Sequence, residues 1–148
     1  MVFRSKKGPI STILSWSLII GSVVLLIAVH LNLGGISNEL SSSDKILLTV
    51  ICILFSLFVL VGWFHTFYVV TEKVLKVRGG IFNWTIPIED IEVIAESKNP
   101  LSAPALSLDR LQITYGKSKF ILISPKDKAL FLNHLRKLKP DIIIDTKR

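Results

Sequence analysis

A single cysteine, Cys52, stands in 148 residues, so the chain has neither an internal disulfide framework nor a Cys₄ or Cys₂His₂ zinc site. Three histidines and one methionine leave few ligands for a metal or a haem. No two of His30, His65 and His134 stand at metal-ligand spacing, and neither metal nor cofactor is expected. No P-loop, G-x-S-x-G, H-E-x-x-H or C-x-x-C word occurs. Glu89, Asp90 and Asp109 read as turn residues, not as a carboxylate pair. These absences argue against an enzyme. Charge is also missing over long stretches: none falls between Gly8 and Asn38, and none between Ile46 and Phe67. Neither run carries the carboxylate or lysine that would mark an ion path.

Apolar residues fill those gaps. Half of the sequence is hydrophobic and the mean hydropathy is +0.56. Ile10–Leu31 and Ile46–Phe67 are each 22 residues long. As helices they reach ~33 Å, enough for a hydrocarbon core of ~30 Å. Arg4, Lys6 and Lys7 precede the first run, Lys73, Lys76 and Arg78 follow the second, and only Lys45 lies in the connector. The positive-inside rule then places both termini in the cytoplasm. The expected organisation is a basic cytoplasmic N-terminus (1–9), a span (10–31), an external loop without a fold of its own (32–45), a second span (46–67), a cytoplasmic domain (68–140) and a tail (141–148). Trp63, Phe64 and Tyr68 crowd the inner end of the second span, at the level where amphipathic rings favour headgroups.

From Tyr68 onward the pattern alternates. In VLKVR, Leu75 and Val77 point one way and Lys76 and Arg78 the other. Gly79-Gly80 reads as a two-residue hairpin turn that sets Val77 opposite Phe82 and Leu75 opposite Trp84. The expected core is Leu75, Val77, Phe82, Trp84 and Ile86, closed by Phe131 and Leu135 of a terminal amphipathic helix. Ser124 is expected to cap that helix, with Pro125 at its first position and Pro140 beyond its end. LQITY and KFILI form a second hairpin around Gly116-Lys117. Its turn length decides whether Phe120/Leu122 or Ile121/Ile123 oppose Leu111/Ile113. Tyr68–Lys139 is expected to fold without the spans, with Trp84 in its core.

The words FRSKK (Phe3–Lys7), IPIEDIEVI (Ile86–Ile94), NPLSAPALSLDRLQITYGK (Asn99–Lys117), ISPKD (Ile123–Asp127) and FLNHL (Phe131–Leu135) resemble the YyaB-like bacterial PH domain proteins. Behind the membrane α-hairpin given by the two apolar runs, the resemblance implies an α+β, pleckstrin-homology-like domain, a bent antiparallel β-barrel capped by a C-terminal helix. It brings no catalytic residue.

Two segments are candidates for function. Lys73, Lys76 and Arg78 read K-x-x-K-x-R directly after the second span, within reach of anionic headgroups at about 1 kcal/mol per basic residue. Beyond residue 65 the net charge is +5, from 14 basic and 9 acidic residues. No basic run is interleaved with aromatics, so nucleic acid is not expected. The second candidate is LSAPALSL, whose Leu101, Ala103, Ala105 and Leu106 are apolar for a loop and too Pro-broken for a central strand. It either folds back over a barrel opening and buries these side chains, or suits docking of a protein partner or a second copy of the chain. The sequence therefore predicts a membrane-anchored binding module, docking a protein partner or itself, with an anionic-lipid sensor as the alternative.

Overall fold

The computed structural model describes residues 1–35, 38–99 and 104–145. Two long helices dominate its first half. Helix α1 spans Pro9–His30 and starts on proline, whose missing N–H costs nothing in a first turn. Helix α2 spans Ser42–Phe64. It starts before its apolar run because Ser41 and Asp44 form a capping box, each side chain accepting from the other's backbone N–H. Both helices are long and apolar enough to cross a membrane, and only 11% of each apolar window is buried. That exposure excludes the role of core helix in the domain. Ser22 Oγ and Ser56 Oγ, 2.8 Å apart, join the two helices.

The remainder folds as two four-stranded sheets. Strands β1 (Val2–Arg4), β2 (Thr66–Val70), β3 (Val74–Gly79) and β4 (Phe82–Pro87) lie side by side in that order, all antiparallel. Strands β5 (Ile91–Ser97), β6 (Arg110–Tyr115), β7 (Lys119–Ile123) and β8 (Ile143–Asp145) form the second sheet in the order β7-β6-β5-β8. Helix α3 (Lys128–Leu138) buries Phe131 and Leu135 between them. The strands do not close into the expected barrel, and β8 runs parallel to β5. The sheets meet through a bridge between Ser5 and Pro125, where Lys6 N–H donates to Ser124 O at 2.6 Å and Lys126 N–H to Arg4 O at 3.0 Å.

Strand β1 makes the domain discontinuous. Residues 1–9 are not a free leader: Val2, Phe3 and Arg4 pair with Val69, Tyr68 and Phe67. Phe3 is 5% exposed and meets Phe131 edge-on, with ring centroids 5.1 Å apart. The second helix also ends sooner than expected. Its last residue is Phe64, and Thr66 already opens β2. Tyr68 is consequently a core residue with no exposed surface and not a ring at the headgroup level.

Two local expectations are corrected and one open register is decided. First, the β3–β4 turn is Gly80-Ile81, with Gly79 opposite Phe82, Val77 opposite Trp84 and Leu75 opposite Ile86. Gly80 supplies the positive φ (62°), whereas Gly79 is needed for room, since a Cβ there would lie 2.6 Å from Pro104 Cβ. The two-residue slip keeps the apolar faces together but pushes Phe82 to the hairpin tip, 56% exposed, and leaves Trp84 half-buried. Leu75, Val77 and Ile86 lie in the core. Second, the β6–β7 turn takes three residues, Gly116, Lys117 and Ser118, all at positive φ, which sets Ile121 and Ile123 opposite Ile113 and Leu111. Third, Ser124 caps no helix. Asp127 occupies the N-cap position, and the Ser124 hydroxyl is buried against Ser5 Oγ at 3.0 Å.

Candidate functional site

The outward face of the β1–β4 sheet follows from the register. One row across it reads Arg4, Phe67, Arg78, Asn83, and the next reads Val2, Val69, Lys76, Thr85. Arg4, Lys76 and Arg78 are exposed. The Arg78 guanidinium lies 5.8 Å from the Phe67 ring centroid, which holds it across the sheet. With strands ~4.8 Å apart and ~6.6 Å between alternate residues, Arg4 stands ~10 Å from Arg78 and ~12 Å from Lys76 across the sheet, and Lys76 ~7 Å from Arg78. No aspartate or glutamate occupies a position in either row. The two rows attract anions and contain no acidic residue to neutralise them.

Lys73 does not belong to this face. Strand β2 runs away from the end of α2 and β3 returns, as the pairs Thr66–Gly79 and Val70–Leu75 require. Arg78 therefore lies beside the helices, and Lys73 lies at the far end of the strand, about 16 Å further along. There it shares a shallow depression with Glu72 and Glu89. K-x-x-K-x-R is contiguous in sequence and divided in space. Arg4, assigned from sequence only to topology, takes Lys73's place in the cluster. Its signal was the Val2-Phe3-Arg4 alternation, too short to read as a strand.

The second candidate segment turns inward. Leu101 and Ala103 lie outside the described residues. Ala105 is buried and Leu106 is half-buried. Gly8 N–H donates to Leu106 O at 2.6 Å, the Ser11 hydroxyl donates to the same oxygen, and Leu106 N–H donates to Ser5 Oγ at 3.1 Å. The segment thus braces the start of α1 against the domain. Tyr68 joins this brace: its hydroxyl donates to Pro104 O at 2.7 Å and accepts from Ser124 N–H at 3.0 Å. Burial pushes the Tyr68 phenol above its ordinary range, so it stays neutral and serves as a structural hydrogen-bond group. Arg110 is buried beside it, donating through Nε to Ser107 O at 2.7 Å and through Nη1 to Asn99 O at 2.8 Å.

A smaller ionic cluster ties the same parts together outside. Asp109 accepts from Lys6 Nζ at 2.7 Å and from Lys128 Nζ, and Lys128 also lies 3.6 Å from Glu96. The hydrogen bonds from Lys128 and then Lys6 hold the Asp109 carboxyl below the usual carboxylate range. Lys7 lies over the rings of Trp63 and Phe64, 4.8 and 4.9 Å from their centroids, joining the approach to α1 with the end of α2. Among the described residues no three His, Cys, Asp or Glu side chains gather where a metal could sit.

Neither curated proteins nor solved structures gave a match to the chain. The family comparison did. The profile of the bacterial PH domain matches residues 66–139, half of the chain, beginning with β2 and ending just past α3. By that match, over the sheets and helix just described, the chain belongs to the bacterial PH domain family.

Proposed function

We propose that this protein is a membrane-anchored, non-catalytic PH-like module whose basic sheet face lies against anionic headgroups of the cytoplasmic leaflet. The helices α1 and α2 cross the bacterial cytoplasmic membrane, with both termini inside, as the distribution of Lys and Arg favours. PH domains generally bind lipids or proteins without chemistry of their own. The words shared with the YyaB-like proteins support a place in that branch of the family. The observation that carries the lipid reading is the acid-free row Arg4–Phe67–Arg78–Asn83, at the end of the sheet nearest the helices. Docking through LSAPALSL has less to support it, because Ala105 is buried and the Leu106 backbone is engaged by Gly8 and Ser5.

Spin-labelled lipids test this reading in the full chain reconstituted into phosphatidylcholine vesicles. The protein should immobilise trace phosphatidylglycerol in preference to trace phosphatidylcholine. Replacing Arg4, Lys76 and Arg78 together with Gln should remove most of that preference, at about 1 kcal/mol per charge near the surface. Added salt should weaken it, and Lys73→Gln should leave it unchanged. Equal immobilisation of the two lipids by the unaltered protein would overturn the proposal.

A further inference from the structure

The β3–β4 hairpin ends beside the second helix. Gly80 N–H donates to His65 O at 3.2 Å, and a Cβ on Gly80 would lie 3.2 Å from Gly62 Cα. Ile81 and Phe82 at this tip are 60% and 56% exposed, two large apolar side chains side by side. Phe82 and Trp84 form one wall of an apolar groove, and Leu14, Leu18, Phe58 and Val59 of the two helices form another.

Depth identifies what such a groove meets. Leu18 lies nine residues into α1, and Phe58 lies six residues before the end of α2. At 1.5 Å per residue the groove reaches ~13 Å along one helix and ~9 Å along the other, within the ~15 Å of one hydrocarbon leaflet. Leu14, Leu18 and Phe58 of its lining also stand among the exposed apolar residues of the helices, and its apolar walls offer water few partners. Lys7, held over Trp63 and Phe64 where α2 ends, puts a cation at the depth of a phosphodiester.

We infer that the groove between the helical pair and the β3–β4 tip holds an acyl chain of a glycerophospholipid from the cytoplasmic leaflet, and that Ile81 and Phe82 enter that leaflet as a third membrane contact beside α1 and α2. The inference rests on the membrane-spanning part of the proposed function and not on its preference for anionic headgroups. The domain is then seated in the leaflet surface, and its basic row is fixed at headgroup height.

Fluorescent labelling of the full chain tests this. In a Cys52→Ala background, a nitrobenzoxadiazole probe is attached at Phe82→Cys, at Ile81→Cys or, as the control for spanning, at Leu54→Cys. Each protein is reconstituted in neutral phosphatidylcholine vesicles containing either acyl-chain doxyl lipid or aqueous iodide. The probes at residues 81 and 82 should lose most of their fluorescence to the doxyl lipid and little to iodide, as should the control. Two tip positions guard against one label disturbing the fold. Quenching at residue 54 alone, with both tip probes open to iodide or shielded from both quenchers, would overturn the inference and leave spanning intact. Absence of doxyl quenching at all three positions would overturn both. Since the vesicles are uncharged, the result is independent of the headgroup reading.

Discussion

Tyr68 joins four segments through one oxygen. Pro104 O can only accept, so the phenol proton goes to it, and the oxygen's lone pairs remain for Ser124 N–H and the Ser5 hydroxyl. From sequence, Tyr68 was indistinguishable from a headgroup-level aromatic, because it falls one residue beyond an apolar run whose last residues belong to a strand. Buried serines such as Ser5 and Ser124 were equally hidden, since hydroxyls that pair across 119 residues leave no local pattern. Asp109 links stability to pH. Its folded pKa is depressed, so its contribution to stability is complete above the unfolded value near 3.8 and is lost as the pH falls through the folded one. Thermal melts of the full chain in detergent should therefore show no pH dependence from Asp109 between about pH 5 and 8, and a decline below about pH 4 that Asp109→Asn reduces. A titration near neutrality that disappears in the variant would contradict the assignment.

At the scale of elements, alternation made β3, β4, β6 and β7 legible, and the helical stripe placed Phe131 and Leu135 in the core. The register of β3–β4 was not legible, because two adjacent glycines suggested that both belonged to the turn. One serves backbone conformation, and the other makes room for Pro104. The three-residue strands β1 and β8 were unreadable for a different reason. Three residues carry no period, and their partners lie more than 45 positions away. Strand β1 nevertheless has the larger consequence. A fragment that starts at Thr66 covers the family match but lacks Phe3 and Ser5, so it does not contain the whole core. Phe3→Ala should destabilise the full chain by about 3–5 kcal/mol, the usual cost of emptying a buried phenylalanine site. Chemical denaturation monitored by near-ultraviolet circular dichroism would measure it. A loss below about 1 kcal/mol would show that β1 is an ornament on the sheet and not a part of it.

The whole molecule is one chain that enters its domain, leaves it for two long apolar helices and returns to complete it. Composition made the helices legible, since their length and apolarity are written in the order of residues. The candidate site was only partly legible. Lys76 and Arg78 were readable as the wet side of a strand, but the hairpin geometry that separates Lys73 and recruits Arg4 is a property of the assembled sheet. That geometry decides which end of the strand meets the leaflet. Cross-linking tests it most directly. In the Cys52→Ala background, the full chain carries a benzophenone at Asn83→Cys, in the basic row, or at Lys73→Cys, at the opposite end of the strand. After reconstitution in vesicles containing phosphatidylglycerol and illumination, phospholipid adducts should form at residue 83 and not at residue 73. Adducts at residue 73, with none at residue 83, would contradict the account.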